Sequence, residues 1–78
     1  MKEFKIKLTS IESVKNFVEK MAKYPFEIDV TSGRYVIDAK SIMGLFSLNL
    51  ENELVLVPHT NDEESLNKIK KDLEEFII

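Results

Sequence analysis

An abrupt change of repeat near the N-terminus constrains the fold of this chain more than any other feature. Phe4, Ile6 and Leu8 alternate with Lys5 and Lys7, the pattern of a strand with one wet face. Immediately afterwards Ile11, Val14, Phe17, Val18 and Met21 recur at helical spacing, which predicts a helix running to about Lys23. Strand and helix are joined by almost nothing. Thr9-Ser10-Ile11-Glu12 marks the switch and reads as a capping box, with Thr9 as N-cap and Glu12 at N3. Pro25 then enforces an exit from the helix.

Phe26, Ile28 and Val30 alternate with Glu27, Asp29 and Thr31 as a second strand. Thr31-Ser32-Gly33 supplies a turn, and Arg34 to Ala39 reads as its antiparallel return. A short helix follows around Ser41. Leu48 to Asn52, including Leu50 and Glu51, makes a polar-tipped connection to a strand from Glu53 to Pro58. Asn61 and Glu64 repeat the capping-box pattern. Leu66, Ile69, Leu73 and Phe76 or Ile77 then define the apolar stripe of a last helix. The order β-α-β-β-α-β-α predicts an α+β open-faced sandwich: a four-stranded antiparallel sheet with three helices on one face. With 78 residues, residues 1–78 form one small domain.

Composition removes several classes of function. The chain has no cysteine and one histidine, so disulfides, thiolate chemistry and any Cys-based or multi-histidine metal site are excluded. The start, MKEFKIKL, is too charged and too short for a signal peptide. No apolar run approaches the roughly 20 residues that span a bilayer, so a cytoplasmic protein without membrane insertion is expected. The net charge of -3 argues against nucleic acid as a partner. Charge is uneven, however: residues 1–40 carry eight Lys/Arg against six Asp/Glu, and residues 41–78 carry three against eight. Neither an enzyme active site nor a cofactor site is expected.

Ser41, in DAKSIMGLFSL, stands at a helix start, where its hydroxyl can accept an unpaired N–H. A phosphate there would meet the positive end of the helix. Ile42, Met43, Leu45 and Phe46 are too short a run for a free-standing helix. They form either a docking surface around a modifiable serine or a short helix packed on the core. Gly44 lowers helix propensity, which points to a close backbone approach or to an accessible surface. Gly33 suits the hairpin turn, and Tyr24 and Tyr35 read as amphipathic packing residues. His59 follows Pro58 and reads as a loop histidine bonding near the cap of the last helix. Asp62, Glu63 and Glu64 suit a first helical turn.

The stretches FVEKMAKYPFEIDV (17–30), AKSIMGLFSLNL (39–50) and LVLVPHTNDEESLNKI (54–69) together resemble the HPr family, the histidine-containing phosphocarriers of the sugar phosphotransferase system. The middle stretch is the specific one. The resemblance implies the same β-α-β-β-α-β-α sandwich and makes Ser41 the counterpart of the regulatory serine that a dedicated HPr-type kinase phosphorylates. It also implies that Ile42 and Met43, with Lys40 and Phe46 beside them, form the docking surface for enzymes and a carbohydrate-responsive transcription regulator. The carrier site is different. Aligned without gaps from Phe17, the family's phosphoacceptor histidine falls on Ser10, its arginine on Glu12 and its proline on Ser13. His59 does not match the missing residue. The expectation is therefore a non-carrier regulatory protein, similar to the catabolite-repression paralogue of HPr. The competing reading is a diverged binding or self-associating domain that uses Ile42, Met43 and Phe46 without phosphorylation.

Overall fold

The computed structural model describes residues 2–50 and 52–76. In chain order the elements are β1 (Phe4–Ile6), α1 (Ile11–Met21), β2 (Ile28–Ser32), β3 (Tyr35–Asp38), α2 (Ile42–Phe46), β4 (Leu54–Pro58) and α3 (Glu63–Asp72). The strands form one antiparallel sheet in the order β1-β4-β2-β3. Register explains why the alternation reads so cleanly. Phe4 lies opposite Leu56, and Leu56 opposite Val30, so one row of apolar side chains crosses the sheet on a single face. Phe4, Ile6, Ile28, Val30, Leu54 and Leu56 are buried there beneath Val14, Phe17 and Met21 of α1, Leu45 of α2, and Ile69, Leu73 and Phe76. The other face, with Lys5, Thr31 and Val55 in one row, has no helix over it among the described residues. This is the expected open-faced sandwich.

Both helix starts lie one residue later than the sequence suggests. Ser10, not Thr9, is the N-cap of α1, and Ser13 rather than Glu12 closes the capping box. Ser10 Oγ accepts the Ser13 N–H at 3.0 Å. Ser13 Oγ in turn accepts N–H groups from Thr9 at 3.1 Å and Ser10 at 3.0 Å while donating to the Ser10 carbonyl at 2.8 Å. A hydroxyl can donate and accept together, whereas an ionised Glu12 can only accept. At α3 the N-cap is Asp62, not Asn61, and Ser65 takes the place expected for Glu64. Asp62 Oδ2 accepts from Ser65 N at 3.2 Å and from Ser65 Oγ at 2.7 Å. These two bonds hold its carboxyl below the usual aspartate range.

The β2–β3 hairpin closes at Gly33 and Arg34, with Ser32 opposite Tyr35. Gly33 has φ +59°, a conformation that glycine adopts without steric cost. The C-terminal segment is tied down by Lys7 N–H donating to the Phe76 carbonyl at 2.8 Å. The Phe76 ring meets Phe17 edge-on, with centroids 5.7 Å apart. Phe76 therefore completes the apolar stripe of α3 through a turn beyond the helix. Ile77 and the connection residue Glu51 lie outside the described residues.

Candidate functional site

Two places in this fold carry the residues singled out by the sequence. The first is the start of α1. Ser10, Glu12 and Ser13 border a shallow cleft of about 240 Å³, together with Lys7, Thr9, Asn16, Glu75 and Phe76. The Ser10 hydroxyl is engaged with Ser13 N–H as the helix cap, and two carboxylates, Glu12 and Glu75, line the cleft. Lys7 lines the same cleft, and Glu75 is paired with Lys20 Nζ at 2.9 Å.

His59 is remote from that cleft. Leu54 of β4 pairs with Ile6, next to the start of α1, whereas His59 follows Pro58 at the opposite end of the strand. Its N–H donates to the Glu27 carbonyl at 2.8 Å, and its Nε2 lies 2.6 Å from Asp29 Oδ2. The imidazole thus pairs with β2 and takes no part in capping α3, which corrects the expectation from sequence. The reason is topological: β4 pairs with β2 as well as β1, so its end is delivered to Asp29.

The second place is α2. Ser41 is the N-cap of this helix, and its Oγ accepts the Gly44 N–H at 3.2 Å. The serine is partly exposed. Helix α2 packs on α1 and β3 through Leu45, which is fully buried, and through Ile42, which is half-buried. Met43, 77% exposed, and Phe46, 39% exposed, face outward. The segment is thus a short helix packed on the core, and its exposed side carries apolar residues beside a serine.

Gly44 is the residue that permits this placement. A Cβ at this position would lie 2.7 Å from Ile37 Cγ2 and 3.1 Å from Ser41 Oγ. Close approach to β3, rather than surface access, accounts for the glycine. Lys40 has a different role from a free surface cation. Its Nζ donates to the carbonyls of Tyr24 at 2.6 Å and Phe26 at 2.9 Å, fastening the segment before Ser41 to the α1–β2 loop. That loop is held in turn by Tyr24, whose hydroxyl donates to Asp72 Oδ2 at 2.5 Å. Burial, with the Asp72 hydrogen bond and charge, pushes the Tyr24 phenol above the usual tyrosine range.

Ile11 is the apolar surface residue that periodicity misses. It follows the helical spacing of Val14, Phe17 and Met21, yet it is 66% exposed. The later cap explains this, because Ile11 becomes the first helical residue, projecting beyond the edge of the core. It stands on the helix against which α2 packs, and a shallow cleft runs between it and Leu50. Among the described residues no cluster of metal-binding side chains occurs, and no helix is long and apolar enough to cross a membrane.

The family model of the phosphorylation site of the phosphotransferase-system HPr component matches residues 12–75. Among solved structures, the chain is similar to HPr-C-His from Thermoanaerobacter tengcongensis, with 32% identity, a TM-score of 0.76, and coverage of 96% of this chain and 92% of that one. It is similar in fold to the histidine-containing phosphocarrier protein of Mycoplasma, at 16% identity and a TM-score of 0.72, over 95% and 93% of the two chains. It is also similar to Crh, the Bacillus subtilis catabolite-repression protein, seen as an intertwined, domain-swapped dimer. Identity there is 25% and the TM-score 0.66, over 94% of this chain and 87% of that one. No curated protein sequence matches.

Proposed function

Because this chain belongs to the HPr family of the phosphotransferase system, whose members are phosphoryl carriers and not enzymes, we propose that it is a non-carrier member acting in carbon catabolite control. It binds protein partners through α2 and is switched by phosphorylation of Ser41. The observation that carries this reading is the arrangement of α2: a partly exposed cap serine, with Met43 and Phe46 outward on a helix whose other side is buried. Ile42, Met43 and Phe46 supply the apolar contact. Lys40 holds the segment that presents them. A phosphate on Ser41 would add a dianion beside the Gly44 N–H and the positive end of α2. Its partners on this reading are an HPr-type serine kinase and a carbohydrate-responsive transcription regulator, and its place is the cytoplasm.

The carrier role fails at the start of α1. Relay of phosphate needs a nitrogen nucleophile that forms a labile phosphoramidate, helix N–H groups and a nearby cation. Ser10 would form a far more stable ester, its hydroxyl already caps the helix, and Glu12 would repel the incoming group. His59 has a nitrogen, but Asp29 stands 2.6 Å from its Nε2 and Glu27 and Asp38 flank the same end of the sheet. Enzyme I and phosphoenolpyruvate should leave the chain unlabelled while labelling a carrier HPr in the same tube. Acid-labile phosphate on any residue of this chain would refute the non-carrier assignment.

The exposed Met43, Phe46 and Ile11 also support a second reading, in which the same surface binds a partner without phosphorylation. Partner capture by the Ser41→Ala chain distinguishes the two. Loss of kinase-dependent capture supports the switch, and capture that needs no kinase supports the second reading.

A further inference from the structure

The outer edge of the sheet offers a second surface, on a strand tied to the start of α2: the Ser41 N–H donates to the Asp38 carbonyl at 3.0 Å, and α2 packs on β3. β3 is last in the strand order and pairs with β2 on one side only. Along an antiparallel strand, successive residues turn their N–H and C=O groups alternately to either side. The Ala39 N–H donates to the Ile28 carbonyl at 2.8 Å, which fixes the phase. Tyr35 and Ile37 bond to β2, and Val36 turns its N–H and C=O outward. Tyr35 and Val36 are 64% and 61% exposed. Outer strands are protected by shortness, by charged residues, above all lysine, by proline or by a bulge. β3 is four residues long and carries Asp38 at its end, but has no lysine, proline or bulge. The backbone of Tyr35-Val36-Ile37 is therefore open to pairing, and the charge of Asp38 limits which partner it accepts.

This edge is complementary to itself. Arg34 precedes the strand and Asp38 ends it, and Arg34 makes no ion pair among the described residues. Asp38 gives one carboxylate oxygen to the Lys40 N–H at 2.9 Å, leaving the other open. Two copies placed antiparallel about an axis at Val36 would set Val36 against Val36, Tyr35 against Ile37 and Arg34 against Asp38. Val36 is an outward-turned residue, so this register makes the central pair the hydrogen-bonded kind, with two reciprocal N–H···O=C bonds. An opposite-charge pair flanks it on each side. Moving the axis by one residue loses both charge pairs, and moving it by two opposes Arg34 to Arg34 or Asp38 to Asp38.

We propose that a second copy of this chain docks along β3, antiparallel about Val36, joining two sheets into one. A single short strand pair buries far less than the roughly 1,200–2,000 Å² of a stable interface, so the association is weak and rises with concentration. It involves neither the kinase nor the α2 surface.

The chain has no cysteine, so single-cysteine variants report contacts without background. Opposed residues of a hydrogen-bonded antiparallel pair have Cα atoms about 5.5 Å apart, within reach of a disulfide. Mild oxidation of concentrated Val36→Cys should give a covalent dimer, and Met43→Cys, equally accessible on α2, should not. In sedimentation experiments the unmodified chain should move from 9.1 kDa towards twice that mass as concentration rises. Arg34→Asp should weaken association about tenfold, and Arg34→Asp combined with Asp38→Arg should restore it, with circular dichroism confirming that each variant is folded. A chain that stays monomeric at every concentration would overturn the proposal. So would cross-linking at Met43→Cys in place of Val36→Cys, or association indifferent to the Arg34 substitution.

Discussion

Gly44→Ala tests the contact that seats α2, and its size can be worked from the structure. The added Cβ would stand 2.7 Å from Ile37 Cγ2, about 1 Å inside the 3.5–4.0 Å optimum for two carbons. Ile37 cannot swing away cheaply. Cγ2 is bonded directly to a branched Cβ with few allowed rotamers, on a strand paired to β2. Overpacking of this kind costs about 1–3 kcal/mol. Alanine returns up to about 1 kcal/mol of helix propensity, so from the middle of that range the net loss is about 1–2 kcal/mol. In a domain of this size each kcal/mol lowers Tm by about 4–8 °C. The assay is urea and thermal unfolding of a double-mutant cycle. Ile37→Ala removes Cγ2, and in that background Gly44→Ala should be neutral or stabilising, a coupling of about 1–3 kcal/mol. Ile37→Val keeps Cγ2 and should give no rescue. Equal destabilisation by Gly44→Ala in all three backgrounds, or none in the unmodified chain, would refute the reasoning.

Ser41→Ala removes the α2 cap and should cost about 1 kcal/mol by urea unfolding, independently of any loss of phosphorylation. Met43→Lys should abolish partner capture in a pull-down while leaving Tm nearly unchanged, because Met43 is exposed; surviving capture would exclude α2 as the contact. Tyr24 has a folded-state pKa above its unfolded value. Its contribution is therefore complete below the unfolded pKa of about 10 and is lost as pH rises beyond it. Tyr24→Phe should flatten alkaline unfolding followed by tyrosinate absorbance. Asp62 is shifted the other way: its stabilisation is present above the unfolded aspartate pKa and disappears as pH falls through the lower folded value. Asp62→Asn should remove that part of the acid dependence of Tm.

Most of the architecture was legible because one sheet face is buried. The alternation of Phe4, Ile6, Ile28 and Val30 and the spacing of Val14, Phe17 and Met21 report burial directly, and all are buried. Local hydrogen-bond competition was less legible. Thr9/Glu12 and Ser10/Ser13 are both acceptable capping pairs, and only the folded geometry reveals that the Ser13 hydroxyl satisfies three backbone groups. The resulting one-residue shift also moves Ile11 out of the core and onto the surface. The tasks of Lys40, His59 and Gly44 depend on partners distant in sequence, namely Tyr24 and Phe26, Asp29, and Ile37. No local pattern encodes those meetings. Ser41 was visible as a cap from sequence because both the hydroxyl and the Gly44 N–H it accepts belong to the same turn.

The most direct test of the account is incubation of the chain with an HPr-type serine kinase and ATP, followed by intact mass and peptide mapping. The account predicts one phosphoryl group, on Ser41, absent from Ser41→Ala and retained in Met43→Lys when the kinase is in excess. A chain left unmodified while a carrier HPr in the same reaction is phosphorylated, or a phosphate found on another residue, would contradict it.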